Sequence, residues 1–106
     1  MATVFATTIT VSSAGTAVQV SSTPRPFVWA WFHNAPGNSG NVYIGGSDVS
    51  STNGLTLQRI TGSAHHLDEI KFEGKLFAED PPLDLMDFYV DAASSGDKVE
   101  ILAKVL

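Results

Sequence analysis

Short runs in which side chains alternate between two faces recur along this chain, each closed by Gly, Pro, Asn or Ser. Residues 3–11 open the pattern, with Val4, Ala6, Thr8 and Thr10 on one side and Phe5, Thr7, Ile9 and Val11 on the other. A period of two marks a strand, because successive side chains leave a pleated backbone on opposite faces. Ser12-Ser13-Ala14-Gly15 predicts a turn, and residues 16–21 return with Val18 and Val20 in step. Pro24 and Pro26 bracket Arg25 and mark a corner or a strand start, where a missing N–H is tolerated. Further strands are predicted over 27–33, 41–45, 55–60, 70–73, 85–91 and 98–105, for about eight in all. The run from Ala35 to Gly40 reads as a loop, and Asn53-Gly54 suits a turn with positive φ. Residues 67–76 make a poor helix, since Phe72 and Gly74 fall inside the stretch. The connections are too short for helical crossovers, so neighbouring strands should pair antiparallel. The expectation is one all-β domain over 1–106, an antiparallel β-sandwich of jelly-roll type, with a small barrel as the alternative.

Two strands break the usual alternation. Residues 27–33 read Phe-Val-Trp-Ala-Trp-Phe-His, and in a regular strand Phe27, Trp29 and Trp31 would face away from Val28, Ala30 and Phe32. Both faces are apolar, whereas a sheet with one wet side alternates apolar with polar. Three explanations fit: a central strand lying under a loop, a face covered by another subunit, or an aromatic platform for a sugar. The last strand repeats the pattern, with Leu102 and Leu106 opposite Val99, Ile101, Ala103 and Val105. Phe27, Trp29, Trp31, Tyr43, Leu102 and Leu106 are therefore the candidate residues for an oligomer or partner interface.

Composition narrows the partners. With 106 residues the chain has room for one modest core, and 43% hydrophobic against 16% charged residues excludes a disordered tail. So few charges favour a surface partly covered by partners. The net charge is −5, and the six Lys and Arg residues are scattered, which argues against nucleic acid as a partner. No run of apolar residues is long enough to span a membrane. Residues 1–13 read as a strand and not as a signal peptide. There are no cysteines, so disulfides and thiolate chemistry are excluded.

Little in the chain has the spacing that catalysis needs. His65-His66-x-Asp68-Glu69 holds the most concentrated metal-capable side chains, but adjacent histidines in a strand point to opposite faces. A metal-dependent enzyme would require His33, His65 and His66 to converge. Asp80, Asp84, Asp87 and Asp91 lack the alternate spacing around Gly of a calcium loop. As a carboxylate pair, Asp87 and Asp91 read as charges on a wet strand face. The serines fall outside Gly-x-Ser-x-Gly, and no phosphate loop occurs. The expectation is a protein without enzymatic activity, cofactor or metal.

From Asn41 onward the sequence takes on a more specific character. Asn41-Val42-Tyr43-Ile44-Gly45-Gly46-Ser47-Asp48-Val49-Ser50-Ser51-Thr52-Asn53-Gly54 is followed by Phe88-Tyr89-Val90-Asp91-Ala92 and Ser95-Gly96-Asp97-Lys98-Val99. In order and spacing these segments resemble a group of small tailed-bacteriophage proteins, and Gly15-Thr16-Ala17-Val18-Gln19-Val20 fits it as well. The Trp-rich strand and residues 65–82 depart from the group. The resemblance implies a virion structural protein of the capsid decoration (cement) type, located on the outer capsid surface. It further implies the major capsid protein as a partner, without nucleic acid or membrane. Self-association would accompany that role, and a trimer would suit a capsid's threefold positions. A receptor- or carbohydrate-binding module of a fibre or tail is the alternative.

Overall fold

Eight strands form among the described residues, most of them where the alternation places them, and they settle into two layers. A computed structural model of the chain describes residues 3–59, 68–74 and 83–106. Its strands are β1 (Thr3–Thr10), β2 (Val18–Gln19), β3 (Phe27–Asn34), β4 (Val42–Gly45), β5 (Leu55–Leu57), β6 (Glu69–Glu73), β7 (Tyr89–Ala92) and β8 (Lys98–Val105). One sheet has the order β1-β8-β3-β6 and the other β2-β7-β4-β5. Every pairing is antiparallel. The fold is an antiparallel β-sandwich, and this interleaving, with chain-distant strands side by side in both sheets, is the jelly roll. The barrel alternative is set aside, because the strands lie in two separate sheets.

The inner faces carry the core. β8 alternates strictly, burying Val99, Ile101, Ala103 and Val105 and exposing the residues between. Opposite them, Val42, Ile44, Leu57, Val90 and Ala92 line the second sheet. At one end Phe27, Phe32, Phe72 and Phe88 meet with ring centroids 5.1 to 5.8 Å apart, all tilted or edge-on. These are the favoured arrangements for aromatic quadrupoles.

Two local departures from the sequence pattern matter. The β3–β8 register shifts between Phe27 and Trp29, so the strand carries a bulge there. A bulge adds one residue to one strand and reverses the parity of everything beyond it. Phe27 therefore shares the inner face with Ala30, Phe32 and Asn34, all fully buried, while Trp29, Trp31 and His33 turn outward. The expected Phe27–Trp29–Trp31 face does not exist. The second departure lies at 85–91, which does not form one strand. Leu85–Asp87 is a turn of 3₁₀ helix, and only Tyr89–Ala92 is extended. Asp84 explains the turn, since its side chain accepts hydrogen bonds from the N–H of Met86 at 2.8 Å and of Arg25 at 2.7 Å. A capping carboxylate competes well against a strand ladder at such a position.

Buried polar groups hold the loops. Asn34 donates to the carbonyls of Gly40 (3.2 Å) and Leu57 (3.0 Å) and accepts from Asn38 (2.6 Å). Asp97 accepts the N–H groups of Ser39 and Gly40, and Asp91 those of Gly15 and Ala92. These bonds tie the 35–41 loop to the start of β8 and the 12–17 loop to β7.

Candidate contact surface and the His33 cluster

Cross-strand register fixes what the outer face of the β1-β8-β3-β6 sheet displays. Reading across the strands, one row is Val4, Lys104, Trp29 and Glu73. The next is Ala6, Leu102, Trp31 and Lys71, and the third is Thr8, Glu100, His33 and Glu69. Within the first two rows Val4, Ala6, Leu102, Trp29 and Trp31 make an apolar stripe interrupted by Lys104 and flanked by Lys71 and Glu73, with Val4 at 66% and Leu102 at 43% exposure and both tryptophans half-buried. Lys71 stands with its ammonium 5.9 Å from the Trp31 ring centroid and 3.0 Å from Glu73. Beside the stripe, a shallow depression of about 440 Å³ runs between Ala6, Thr8, Trp31, His33, Glu100 and Leu102.

The sheet's two edges differ. β6 interleaves Glu69, Lys71 and Glu73, charges that discourage pairing with another strand. β1 has eight residues, no charge and no proline, and among the described residues its outer edge pairs with nothing. In the second sheet the edge strands β2 and β5 have only two and three residues.

At the third row the imidazole of His33 lies between two carboxylates. Its Nδ1 is 3.0 Å from Oε1 of Glu100, and its Nε2 is 3.5 Å from Oδ2 of Asp68. His33, Asp68 and Glu69 each bring a ligand-capable atom within 4.8 Å of the others'. The fold assembles this group: β8 supplies Glu100, β6 supplies Glu69, and the N–H of Asn34 binds the carbonyl of Asp68 at 2.8 Å.

The second sheet's outer face holds another depression, of about 420 Å³, lined by Tyr43, Asp91, Gly15, Ser50 and Ser51 among others. The 12–17 and 46–54 loops wall it. Asp91 is 2% exposed, and the hydrogen bonds from Gly15 and Ala92 both fall on Oδ1.

The six residues expected at an interface divide on this structure. Trp29, Trp31, Leu102 and Leu106 reach the surface, with Leu106 at 60% exposure. Phe27 and Tyr43 do not, at 0% and 8%. The bulge turns Phe27 inward, and flanking loops cover Tyr43. Of the acids weighed in the sequence, Asp87 is exposed, Asp91 is buried and Asp84 caps the 3₁₀ turn, so Asp87 and Asp91 do not share a wet face. His65, His66 and Asp80 lie outside the described residues.

Comparison with known protein families, with curated proteins and with solved structures finds no match for this chain.

Proposed function

We propose that this domain is a virion structural module of the tailed-phage decoration type, which self-associates and bridges major capsid protein subunits on the outer capsid surface. One observation carries the reading: β1 is a long, uncharged, proline-free edge strand whose outer side pairs with nothing among the described residues, and it adjoins the Val4–Leu102–Trp31–Trp29 stripe. Free backbone groups and apolar area are how a sandwich holds another protein by strand addition and face packing. The resemblance of residues 41–54, 88–92 and 95–99 to small phage virion proteins supports the location. The jelly roll supports it by analogy alone, since viral shell domains and lectins share that architecture.

The magnitudes suit the role. A specific contact buries about 800 Å² on each partner. If half of that is apolar, the gross gain is about 10 kcal/mol, much of it offset by lost rotational and translational freedom. Each contact is then modest, and many symmetric copies make a shell harder to open.

A second reading, a receptor- or carbohydrate-binding module of a fibre or tail, is favoured by the Tyr43–Asp91 depression. Hydroxyl-bearing loop residues such as Ser50 and Ser51 around a concave site offer the polar groups that fix a bound sugar's orientation. The deciding experiment compares particles assembled with and without the domain. Under the decoration reading, particles lacking it open at lower temperature or lower ionic strength, and imaging finds it on the shell. Equal robustness, with the domain seen only on a tail fibre, replaces the first reading by the second.

A further inference from the structure

We propose that His33, Asp68 and Glu69 form a binding site for a zinc-class divalent cation, with Glu100 as the residue that positions the imidazole. The argument rests on the two sides of the ring. Glu100 lies 3.0 Å from Nδ1, a hydrogen-bond distance, and a carboxylate in that place orients the ring of a metal-binding histidine. On the other side of the ring, Nε2 faces the Asp68 carboxylate at 3.5 Å. Zinc bonds of 2.0–2.2 Å in a tetrahedron put neighbouring ligand atoms about 3.4 Å apart, so the Nε2–Oδ2 pair already has the spacing of one tetrahedral edge. Glu69 supplies a third ligand atom within reach, and its place opposite His33 in the β3–β6 ladder keeps it there.

The surrounding charges favour a cation. Asp68, Glu69 and Glu100 place three carboxylates around one imidazole, while Lys71, the nearest base along β6, pairs with Glu73 at 3.0 Å. A ligand set of one nitrogen and two oxygens suits zinc and its transition-metal neighbours better than magnesium or calcium, which prefer oxygen alone. Three protein ligands leave a fourth position for water or for a group from a partner surface, and His33 and Glu100 also line the depression beside the stripe. The bound ion would also clamp the edge strand β6 to β3.

The test is calorimetric titration of the metal-free full chain with zinc chloride and, separately, magnesium chloride. One saturable zinc site and no comparable magnesium site are expected. His33→Ala removes the zinc site, and Glu100→Gln keeps the stoichiometry while weakening affinity by about 10- to 100-fold. Thermal midpoints of the metal-free variants close to the parent's show that the fold is intact. His65→Ala/His66→Ala serves as a control that retains the site. No saturable zinc binding at millimolar concentration, equal binding of magnesium, or binding that survives His33→Ala overturns the assignment. So does binding lost in the His65/His66 control.

Discussion

The carboxylate of Asp97 clasps the backbone of Ser39 from 58 positions away, with the Ser39 N–H 2.9 Å from Oδ1 and 3.1 Å from Oδ2. The N–H of Gly40 adds a third bond at 3.0 Å. Asp97 is 5% exposed, so the accepting side of these part-buried bonds is shielded from water. Hydrogen bonds to a charged group contribute more than neutral ones, and removing the acceptor leaves the part-buried bonds of two backbone N–H groups unmade. Asp97→Ala should cost about 2–3 kcal/mol. For a domain of this size the thermal midpoint should fall on the order of 10 °C. A midpoint unchanged in Asp97→Ala would show that the 35–41 loop is held by other means.

Gly54 and Gly37 make a matched pair. Both have positive φ, +120° and +88°. A Cβ at Gly37 would meet nothing within 4 Å, whereas one at Gly54 would lie 2.6 Å from the Ile44 carbonyl oxygen and 2.9 Å from Val49 Cγ2. Gly37→Ala should therefore pay only the left-handed backbone cost, about 1–2 kcal/mol. Gly54→Ala carries that cost and a backbone collision besides. Urea unfolding of the two variants should rank Gly54→Ala clearly below Gly37→Ala. The reverse order would mean that the 46–54 loop yields without strain.

Self-association is tested on side chains that the fold does not need. Leu102 is exposed at the centre of the stripe, so Leu102→Asp should leave the monomer folded and lower the mass seen by light scattering. An unpaired charge buried in a contact is costly. Thr8→Lys places a charge on β1 opposite Glu100, where the fold tolerates it, and should weaken association through the edge. A parent protein that scatters only as an 11.2 kDa monomer at micromolar concentration refutes the self-association outright.

The strands were legible because their alternation is local: each of β1, β3 and β8 can be read from eight consecutive residues. Three things were not. The bulge near Val28 has no glycine or other sequence mark, yet it decides that Phe27 is core and Trp29 surface. The 3₁₀ turn at 85–87 depends on Asp84 bonding two backbone N–H groups, one of them at Arg25 far along the chain. The His33 cluster draws on three strands and the approach to one of them. His33, Asp68 and Glu100 are strangers in sequence, and register alone makes them neighbours. Adjacent histidines at 65 and 66 attracted attention because sequence proximity is visible, whereas cross-strand proximity is not.

β8 sits between β1 and β3, in the middle of its sheet, although it is the last strand along the chain. During synthesis β1 and β3 emerge long before the strand that must separate and pair them. β3 can pair with β6 before then, but β1 has no partner in the sheet until residues 98–105 leave the ribosome. Assembly is then a late, concerted event, and contacts between distant parts of the chain place such folds on the millisecond-to-second timescale. In that interval apolar surface and unpaired strand edges stay exposed, the condition under which aggregation competes with folding. A chain halted before Lys98 would lack the centre of the sheet, leaving β1 and β3 without the strand that joins them.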